Sequence, residues 1–377
     1  MLEDQLLQPG ATGRVCGSRA GRLRIVACSL ALHAWQVTGA PSALAAPTAA
    51  TPVAAQQPSA VSAVAGRPSA SRAIALCEGR IAPIVPGVLV LRRAVGSASR
   101  DNSGCVANGL VVSGTAGTLL VDPGPHRLAG ERLAAALARW NAPPVRWIVF
   151  TQARPERVLA ASAWTSTAGV RLLASGSTAR HMREHCGPCV ERFAASVGPE
   201  ALRDTSVPMG VEAVQEPIDI DLGGRRVTLR PLPFDAPDDG LVVLVPSARL
   251  VFVGGLAGAG VLAELRGSPP ARIAALARLA DERPSRVLGS EGPVGGPAVL
   301  HDALRYAGAL QALVEADVNA GGDAATAGTR LVLPAFAKEA LYAERHPLNV
   351  DALVRRLEST GSADAAAEPQ ARDASLR

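Results

Sequence analysis

Aromatic side chains and lysine are scarce in this chain of 377 residues. Phe, Trp and Tyr make up only 3% of it, so a core has to be built from aliphatic side chains. Lys338 is the only lysine, and the net charge is a modest +5. Because no basic cluster is interleaved with aromatics, the composition argues against nucleic-acid binding. No segment beyond the N-terminal region is apolar over the length of a membrane-spanning helix, so the mature protein is expected to have no integral membrane segment.

The first 45 residues have the order of a secretory signal peptide. A basic stretch ends at Arg24, an apolar run covers residues 25–35, and Ala43-Leu44-Ala45 precedes Ala46. This order predicts export, to the periplasm or the outside of the cell. Residues 46–74 are rich in Ala, Pro, Ser and Thr and predict a disordered linker.

Strand and helix patterns alternate from residue 75 onward, and they predict an α/β fold with two sheets. Strands are predicted at 87–91, 106–113, 118–121, 145–151, 170–174, 226–229, 241–245 and 250–253. Helices are predicted at 128–140, 157–167, 177–197, 270–283 and 298–316. We expect one αββα domain over 75–320, a helical C-terminal extension over 321–360 and a disordered tail over 361–377.

Four cysteines lie beyond the predicted signal peptide: Cys77, Cys105, Cys186 and Cys189. An oxidising compartment favours their pairing, and four cysteines allow three connectivities. The Cys186-Gly187-Pro188-Cys189 sequence makes Cys186 and Cys189 a possible disulfide. It also resembles a thioredoxin active site, so thiol-disulfide exchange is an alternative function.

Two predicted strands are followed by polar loops. Asp122 and Gly124 follow the strand at 118–121, and Thr151 ends the next strand, before Gln152-Ala153-Arg154-Pro155-Glu156-Arg157. In open α/β folds chemistry gathers where strand C-termini meet loops, so this second loop is the expected position of a site.

This loop resembles the Thr-His-x-His-x-Asp-His motif of the metallo-β-lactamase superfamily, with Thr151 in common. Three later segments match that family in order: Phe234–Asp239, Val253–Leu256 and Leu288–Pro293. The resemblance implies an αββα sandwich and, ancestrally, metal-assisted hydrolysis of an ester, thioester or amide. It assigns the family's zinc-ligand positions to Gln152, Arg154, Glu156, Arg157, Asp235, Gly255 and Glu291, and structural roles to Asp122, Gly124 and Thr151.

A subgroup is also suggested. Asp101-Asn102, Ala107-Asn108-Gly109, the Cys186/Cys189 pair and His346-Pro347-Leu348-Asn349-Val350 are similar to segments of the quinoprotein-relay or sulfur-oxidation-associated zinc metallohydrolases.

The ligand set does not suit zinc. None of the six histidines occupies a ligand position, and Arg154 and Arg157 are permanent cations. Zinc and its hydrolytic chemistry are therefore not expected. The sequence predicts a non-catalytic homologue that binds an unidentified small molecule or periplasmic protein, with an ion-pair cluster in place of the metals.

Other interpretations stay open. Glu156, Asp235 and Glu291 could hold a hard cation such as Mg²⁺ in an atypical hydrolase. His181 and His185 are four residues apart and, with Cys186 and Cys189, could form a small metal site. Arg154, Glu156 and Arg157 could also be an ordinary solvated helix start.

Overall fold

Two β-sheets pack face to face, and helices cover both outer surfaces. A computed structural model describes residue 77 and the ranges 79–233, 240–265 and 267–373, with side chains as far as residue 359. All of these residues fall in one unit, Ala65–Arg377. The four layers confirm the predicted αββα fold. The predicted signal peptide, linker and Asp235 lie outside the described residues.

The first sheet has seven strands in sequence order. The first four strands pair antiparallel, and the fourth to seventh pair parallel. The parallel pairs place the C-terminal ends of β4, β5 and β6 at the same edge. The strands are β1 (Arg80–Val85), β2 (Val88–Arg92), β3 (Gly109–Gly114), β4 (Gly117–Val121), β5 (Val145–Phe150), β6 (Arg171–Ser175) and β7 (Glu212–Val214).

The second sheet has five strands in the order β12-β11-β10-β9-β8. All neighbouring pairs are antiparallel except β11 and β12, which are parallel and so end at the same edge. The strands are β8 (Ile218–Asp221), β9 (Arg226–Leu232), β10 (Gly240–Val245), β11 (Leu250–Gly254) and β12 (Arg286–Gly289).

The helices pack on the outer faces of these sheets. They are α1 (Arg127–Arg139), α2 (Pro155–Val158), α3 (Gly176–Val197), α4 (Pro269–Asp281), α5 (Ala298–Asn319), α6 (Ala327–Arg330) and α7 (Tyr342–Asp373). In the part of the chain that is described, no helix combines the length and apolarity needed to cross a bilayer.

The core between the sheets is aliphatic, as the shortage of aromatics requires. Alternate residues of the central strands, such as Leu110, Val112, Leu229 and Val243, are completely buried in it. Phe252 of β11 is its one buried phenylalanine among the described residues. Every second side chain of a strand points to the same face of its sheet. The inner faces of both sheets therefore contribute to one hydrophobic core.

One predicted helix, 157–167, is wrong. Only one α-helical turn forms, α2, and a 3₁₀ helix follows at Leu159–Trp164. The backbone of Gly124 forms hydrogen bonds with main-chain groups that a longer helix would pair within itself. The N–H of Gly124 donates to the carbonyl of Arg157 at 3.1 Å, and the N–H of Ala160 donates to the carbonyl of Gly124 at 2.8 Å. The segment is therefore bound to the β4 loop instead of continuing its own helix.

The chain end differs from the predicted disordered tail. Helix α7 continues to Asp373, past the expected boundary at residue 360. Its sequence from 363 to 367 contains four alanines, the residue with the strongest intrinsic helix preference. The N-terminal part of α7 packs on α5 through Val350 and Val354, which contact a cluster that includes Leu310 and Val314.

The predicted disulfide through Cys186 and Cys189 is also wrong. The structure joins Cys77 to Cys105 and leaves Cys186 and Cys189 as thiols. Cys186 is buried in the core under α3, whereas Cys189 lines a surface cavity and accepts a hydrogen bond from Arg192. Both thiols lie on the continuous helix α3, and the two differ in burial.

His126 connects this disulfide to the first helix. Its Nδ1 accepts a hydrogen bond from the N–H of Ala129 at 3.1 Å and so caps α1. Its Nε2 lies 3.6 Å from the sulfur of Cys77 and 3.9 Å from that of Cys105. Burial, with the positive charges of Arg93 and Arg132, lowers the pKa of His126 to about 4.

This pKa predicts a loss of stability in acid. Between about pH 6.5 and pH 4 the unfolded chain protonates this imidazole and the folded chain does not, so the free energy of unfolding falls as the pH falls. The full effect is roughly 3 kcal/mol. His126→Asn keeps a capping oxygen but does not titrate, so the stability of the wild type relative to this variant should decrease across that window in urea denaturation. Parallel pH profiles of the two proteins would contradict the expectation.

Candidate functional site

Asp122 and Thr151 join the ends of two parallel strands. Asp122 follows β4 in a left-handed conformation, with φ at 47°, and is completely buried. Its carboxylate accepts one hydrogen bond from the N–H of Thr151 at 2.8 Å and another from the Thr151 hydroxyl at 2.5 Å. Burial raises the pKa of Asp122 to about 6, although Arg157 and the Thr151 hydrogen bonds act in the opposite direction. These contacts are structural and fix where the β5 loop begins.

Gly124 fits the same loop because it has no side chain. Its φ is 137°, and a Cβ there would lie 2.9 Å from Nη2 of Arg93. That guanidinium donates to the carbonyls of Ala107 and Pro123, both at 2.7 Å. Any larger residue at position 124 would displace an arginine that bridges two loops.

Arg157 is a buried cation in the centre of the site. The residue lies in the short helix α2 and is only 7% exposed. Nη1 donates to Oε1 of Gln152 at 2.5 Å and lies 3.5 Å from the hydroxyl of Thr151. Burial lowers the pKa of Arg157, and the carboxylates of Asp122 and Glu156 act against that effect. Arginine still stays charged at neutral pH in proteins.

Arg154 pairs with two carboxylates. Its Nε lies 3.1 Å from Glu156, and its Nη2 lies 3.2 Å from Glu264, which is 110 residues further along the chain. Burial acts to raise the pKa of Glu156, but the charges of Arg154 and Arg157 outweigh it and lower that pKa overall. Glu156 is therefore an ionised, paired carboxylate and not an unengaged ligand.

Glu291 is held by an arginine of the C-terminal helix. Both carboxylate oxygens of Glu291 accept from Arg345, at 2.5 and 2.6 Å, and each side chain is only 15% exposed. Arg345 also donates to the carbonyl of Leu262 at 2.8 Å. This two-point pair is among the stronger ion-pair geometries in proteins.

Gly255 borders the guanidinium of Arg157. A Cβ at this position would lie 2.6 Å from Oε1 of Gln152 and 2.9 Å from Nη2 of Arg157. The carbonyl of Gly255 accepts a hydrogen bond from Arg272 at 2.8 Å, which fixes the backbone after β11. The missing side chain is therefore what leaves room for Arg157.

A cavity of about 340 Å³ brings these positions together. Six of the seven positions assigned by the resemblance line it: Gln152, Arg154, Glu156, Arg157, Gly255 and Glu291. The seventh, Asp235, lies outside the described residues. Thr151, Asp122 and Gly124 lie behind the cavity wall and support it. Arg154 and Arg345 form ion pairs with the glutamates around them, and Arg157 is buried beside these pairs, which is more than a solvated helix start.

Zinc does not fit this donor set. No histidine is among the described residues that line the cavity. Glu156 and Glu291 already accept from Arg154 and Arg345, and the guanidinium of Arg157 would repel a dication. Zinc in proteins needs imidazole, thiolate or carboxylate donors that approach to about 2.0–2.3 Å. Binding it here would require breaking two ion pairs and placing the ion beside a third, buried cation.

The comparisons with known proteins agree with the architecture. A family model described as "Metallo-beta-lactamase superfamily" matches residues 103–315, more than half of the chain. The chain belongs to the metallo-β-lactamase superfamily. The predicted superfamily is thus confirmed. No curated protein matches the sequence.

Solved structures of this superfamily are similar to the chain in fold. A metallo-β-lactamase from Pontibacter korlensis has 19% identity and a TM-score of 0.48, over 60% of this chain and 98% of the other. The sec-alkylsulfatase Pisa1 from Pseudomonas sp., described as stereoselective and inverting, has 14% identity and a TM-score of 0.56. That match covers 77% of this chain and 52% of the sulfatase. Identities this low show the fold alone.

Two site residues were missed by sequence reasoning, Glu264 and Arg345. Both pair with predicted positions from a distance of 54 residues or more in sequence. Arg345 directly precedes His346, the start of a segment that the sequence does single out, but nothing in the sequence connects it with Glu291. His346 and Asn349 themselves are buried and hydrogen bond to Tyr306, so that segment anchors α7.

The structure does not support thiol-disulfide exchange or a metal site at the cysteines and histidines of α3. Burial raises the pKa of Cys186 to about 11, which is opposite to the activation that a redox thiol needs. His181 and His185 lie on one face of α3, with ring centroids 5.0 Å apart, beside a second cavity of about 800 Å³. Cys186 points away from them into the core, so the proposed four-residue metal site is not assembled.

Cys77, Cys105 and His126 are close enough to hold a metal by distance alone. The bond between the two sulfur atoms removes both thiolates. The Nδ1 of His126 accepts a backbone N–H, so the ring proton of the neutral imidazole lies on Nε2, the atom facing the sulfurs. This cluster is therefore structural in the oxidised protein.

The Glu291–Arg345 pair predicts a measurable coupling. Glu291→Gln should lower the free energy of unfolding by about 2 kcal/mol, because a largely buried guanidinium loses its charged acceptor. A double-mutant cycle with Arg345→Met should give a coupling of about 1–3 kcal/mol. The exposed Arg171–Glu212 pair has similar two-point geometry and provides the control, with a coupling below about 1 kcal/mol. Equal couplings for both pairs would contradict this.

Proposed function

We propose that this protein is an exported, non-catalytic member of the metallo-β-lactamase superfamily that uses the former metal cavity as a binding site. One observation carries the proposal: the buried guanidinium of Arg157 stands where the family motif has a histidine ligand. A permanent cation at that place opposes metal binding, whereas a cavity of about 340 Å³ is of the size that small molecules occupy.

The loss of zinc would remove the main source of hydrolytic rate. In metal-dependent hydrolysis the ion supplies an activated water and polarises the substrate carbonyl. The residues present neither activate a water molecule nor polarise a carbonyl group. Glu156 and Glu291 are each bound to an arginine, and Gln152 has its side-chain oxygen against Arg157. What this chain's residues can do is orient and hydrogen bond to a ligand.

An atypical hydrolase with a hard cation is the competing function. Magnesium and calcium prefer carboxylate oxygens, and Glu156 and Glu291 offer them. Both carboxylates would first have to leave their arginines, and Arg157 would still face the ion. The charge arrangement therefore favours the binding role. The ligand is a small molecule or a periplasmic protein segment, and the modest basic excess gives no reason to propose a nucleic acid.

Metal analysis of the purified protein tests the proposal. We expect less than about 0.1 equivalent of zinc, and no hydrolysis of a β-lactam or a thioester above background. Zinc at about one equivalent, lost on chelation together with a hydrolytic activity, would overturn the proposal in favour of an active enzyme.

A restored variant provides the positive control. It carries seven substitutions: Gln152→His, Arg154→His, Glu156→Asp, Arg157→His, Asp235→His, Gly255→Asp and Glu291→His. This variant should gain zinc affinity, and a companion that retains Arg157 should not, because the cation remains. Adding Arg345→Gln should raise the affinity further, since that arginine loses its partner when Glu291 is replaced. Equal zinc affinity with and without Arg157 would contradict the charge argument.

Export is tested separately. After expression of the full chain in a Gram-negative host, the periplasmic fraction should contain a species that begins at Ala46, identified by intact mass. Ala45→Phe places a large residue directly before the cleavage point, where the peptidase accepts small ones, so this control should accumulate as precursor. Full-length protein in the cytoplasm for both forms would exclude the signal-peptide assignment.

A further inference from the structure

Arg157 differs from the other two cavity arginines because it has no carboxylate partner. Arg154 and Arg345 each contact a glutamate, but no described carboxylate lies within ion-pair distance of Arg157. Its hydrogen bonds all leave from Nη1, toward the neutral groups of Gln152 and Thr151. Asp122 and Glu156 act on this guanidinium from beyond hydrogen-bond distance, so Arg157 can still pair directly with an anion.

Two polar groups in the cavity wall lack hydrogen-bond partners among the described residues. Nε of Arg157 has none, and neither has the hydroxyl of Ser290, a residue that is only 2% exposed. The two residues are neighbours across β11, because the N–H of Ser290 donates to the carbonyl of Gly254, next to Gly255. Unsatisfied buried polar groups are uncommon in native proteins and each calls for an explanation.

The side chains of Arg157 and Gln152 fill the space beside Gly255, and all three residues line the cavity. Gly255 has no side chain, and the position of its absent Cβ is 2.9 Å from Nη2 of Arg157. The remainder of the cavity wall is partly apolar and includes Val106, Phe193 and Val261. A ligand that matches this wall has one polar end for Arg157 and Ser290 and a small apolar body.

The charge around Arg157 limits the ligand to a single negative charge. Asp122, Glu156 and Glu291 all act on the charge of Arg157, and Glu344 also lines the cavity. These carboxylates repel a doubly charged group such as phosphate more strongly than a singly charged carboxylate, which Arg157 can bind directly. A metal cation is excluded by the same guanidinium.

We propose that the cavity binds a small monocarboxylate with an apolar body, whose carboxylate accepts hydrogen bonds from Nη2 of Arg157 and from the Ser290 hydroxyl. The inference rests on the proposed binding function, because it needs the cavity to be free of metal. It goes further by naming the chemical class of the ligand and the two groups that recognise it.

Binding of benzoate to the full chain, measured by calorimetry, tests the proposal. Benzoate should bind at one site, and benzamide, which has nearly the same shape but no charge, should bind at least about tenfold more weakly. Inorganic phosphate should also bind at least about tenfold more weakly than benzoate. Equal affinity for benzoate and benzamide would overturn the proposal, and so would tighter binding of phosphate.

Variants identify the binding groups. Arg157→Met should fold, because this guanidinium has no ion pair to lose, and should weaken benzoate binding at least about tenfold. Gly255→Ala places a Cβ 2.9 Å from Nη2, which displaces this guanidinium, and should do the same. Gly296→Ala is the matched control, since a Cβ there meets no atom within 4 Å, and it should bind benzoate like the wild type. Unchanged benzoate affinity in both Arg157→Met and Gly255→Ala would refute the assignment.

Zinc analysis of the same sample separates the two possible failures. Zinc-free protein that does not bind benzoate contradicts the ligand class and leaves the non-catalytic proposal standing. Protein that contains about one equivalent of zinc contradicts the proposed function itself, and this inference with it.

Discussion

The site depends on the buried carboxylate of Asp122, which holds the ends of β4 and β5 together through Thr151. From this point the backbone connects both sheets, because the carbonyl of Thr151 accepts a hydrogen bond from Leu241 in β10. A second connection lies nearby, where the side chain of Asn108 donates to the carbonyls of Gly289 and Gly292. The cavity therefore has a frame made by hydrogen bonds outside its lining, and its chemistry can change without changing the fold.

Within that frame, ion pairs occupy the place that the family pattern gives to metal ligands. Three arginines approach the cavity, and two of them neutralise glutamates that would otherwise attract cations. Such largely buried pairs contribute modestly to net stability, because desolvation offsets most of their attraction. What they do strongly is fix side-chain positions. The cavity is thus shaped by charge pairing, and Arg157 is the cavity arginine that makes no direct ion pair with a described carboxylate.

The fold was largely predictable from the sequence because its strands are buried and aliphatic. Strands β2–β6 and β9–β11 each overlap a predicted strand. The strands β7, β8 and β12 were not predicted because they have only three or four residues, and β1 was not predicted because Pro83 interrupts its apolar pattern. The 3₁₀ segment could not be predicted because its hydrogen bonds go to Gly124, more than 30 residues earlier. The disulfide pairing could not be predicted either, because spacing in sequence does not determine which sulfur atoms meet.

The sequence predicted those positions of the candidate site that belong to the family's motifs. Motif order identified Arg157, Gly255 and Glu291, but not the partners that determine what these residues can do. Glu264 comes from the loop before α4, and Arg345 comes from α7. Long-range charge pairing has no local signature, so the ion pairs at these positions are visible only when the chain is folded.

The pairing of Glu291 with Arg345 also bears on evolutionary reversibility. A mutation that returned a histidine to position 291 would leave Arg345 facing an imidazole, and one that removed Arg345 alone would leave Glu291 unpaired. Either change alone at this pair is thus expected to be destabilising. A lineage that carries such pairs would have to pass through less stable intermediates before it could bind zinc. Evolution of new uses of the cavity is therefore favoured over evolution of metal binding.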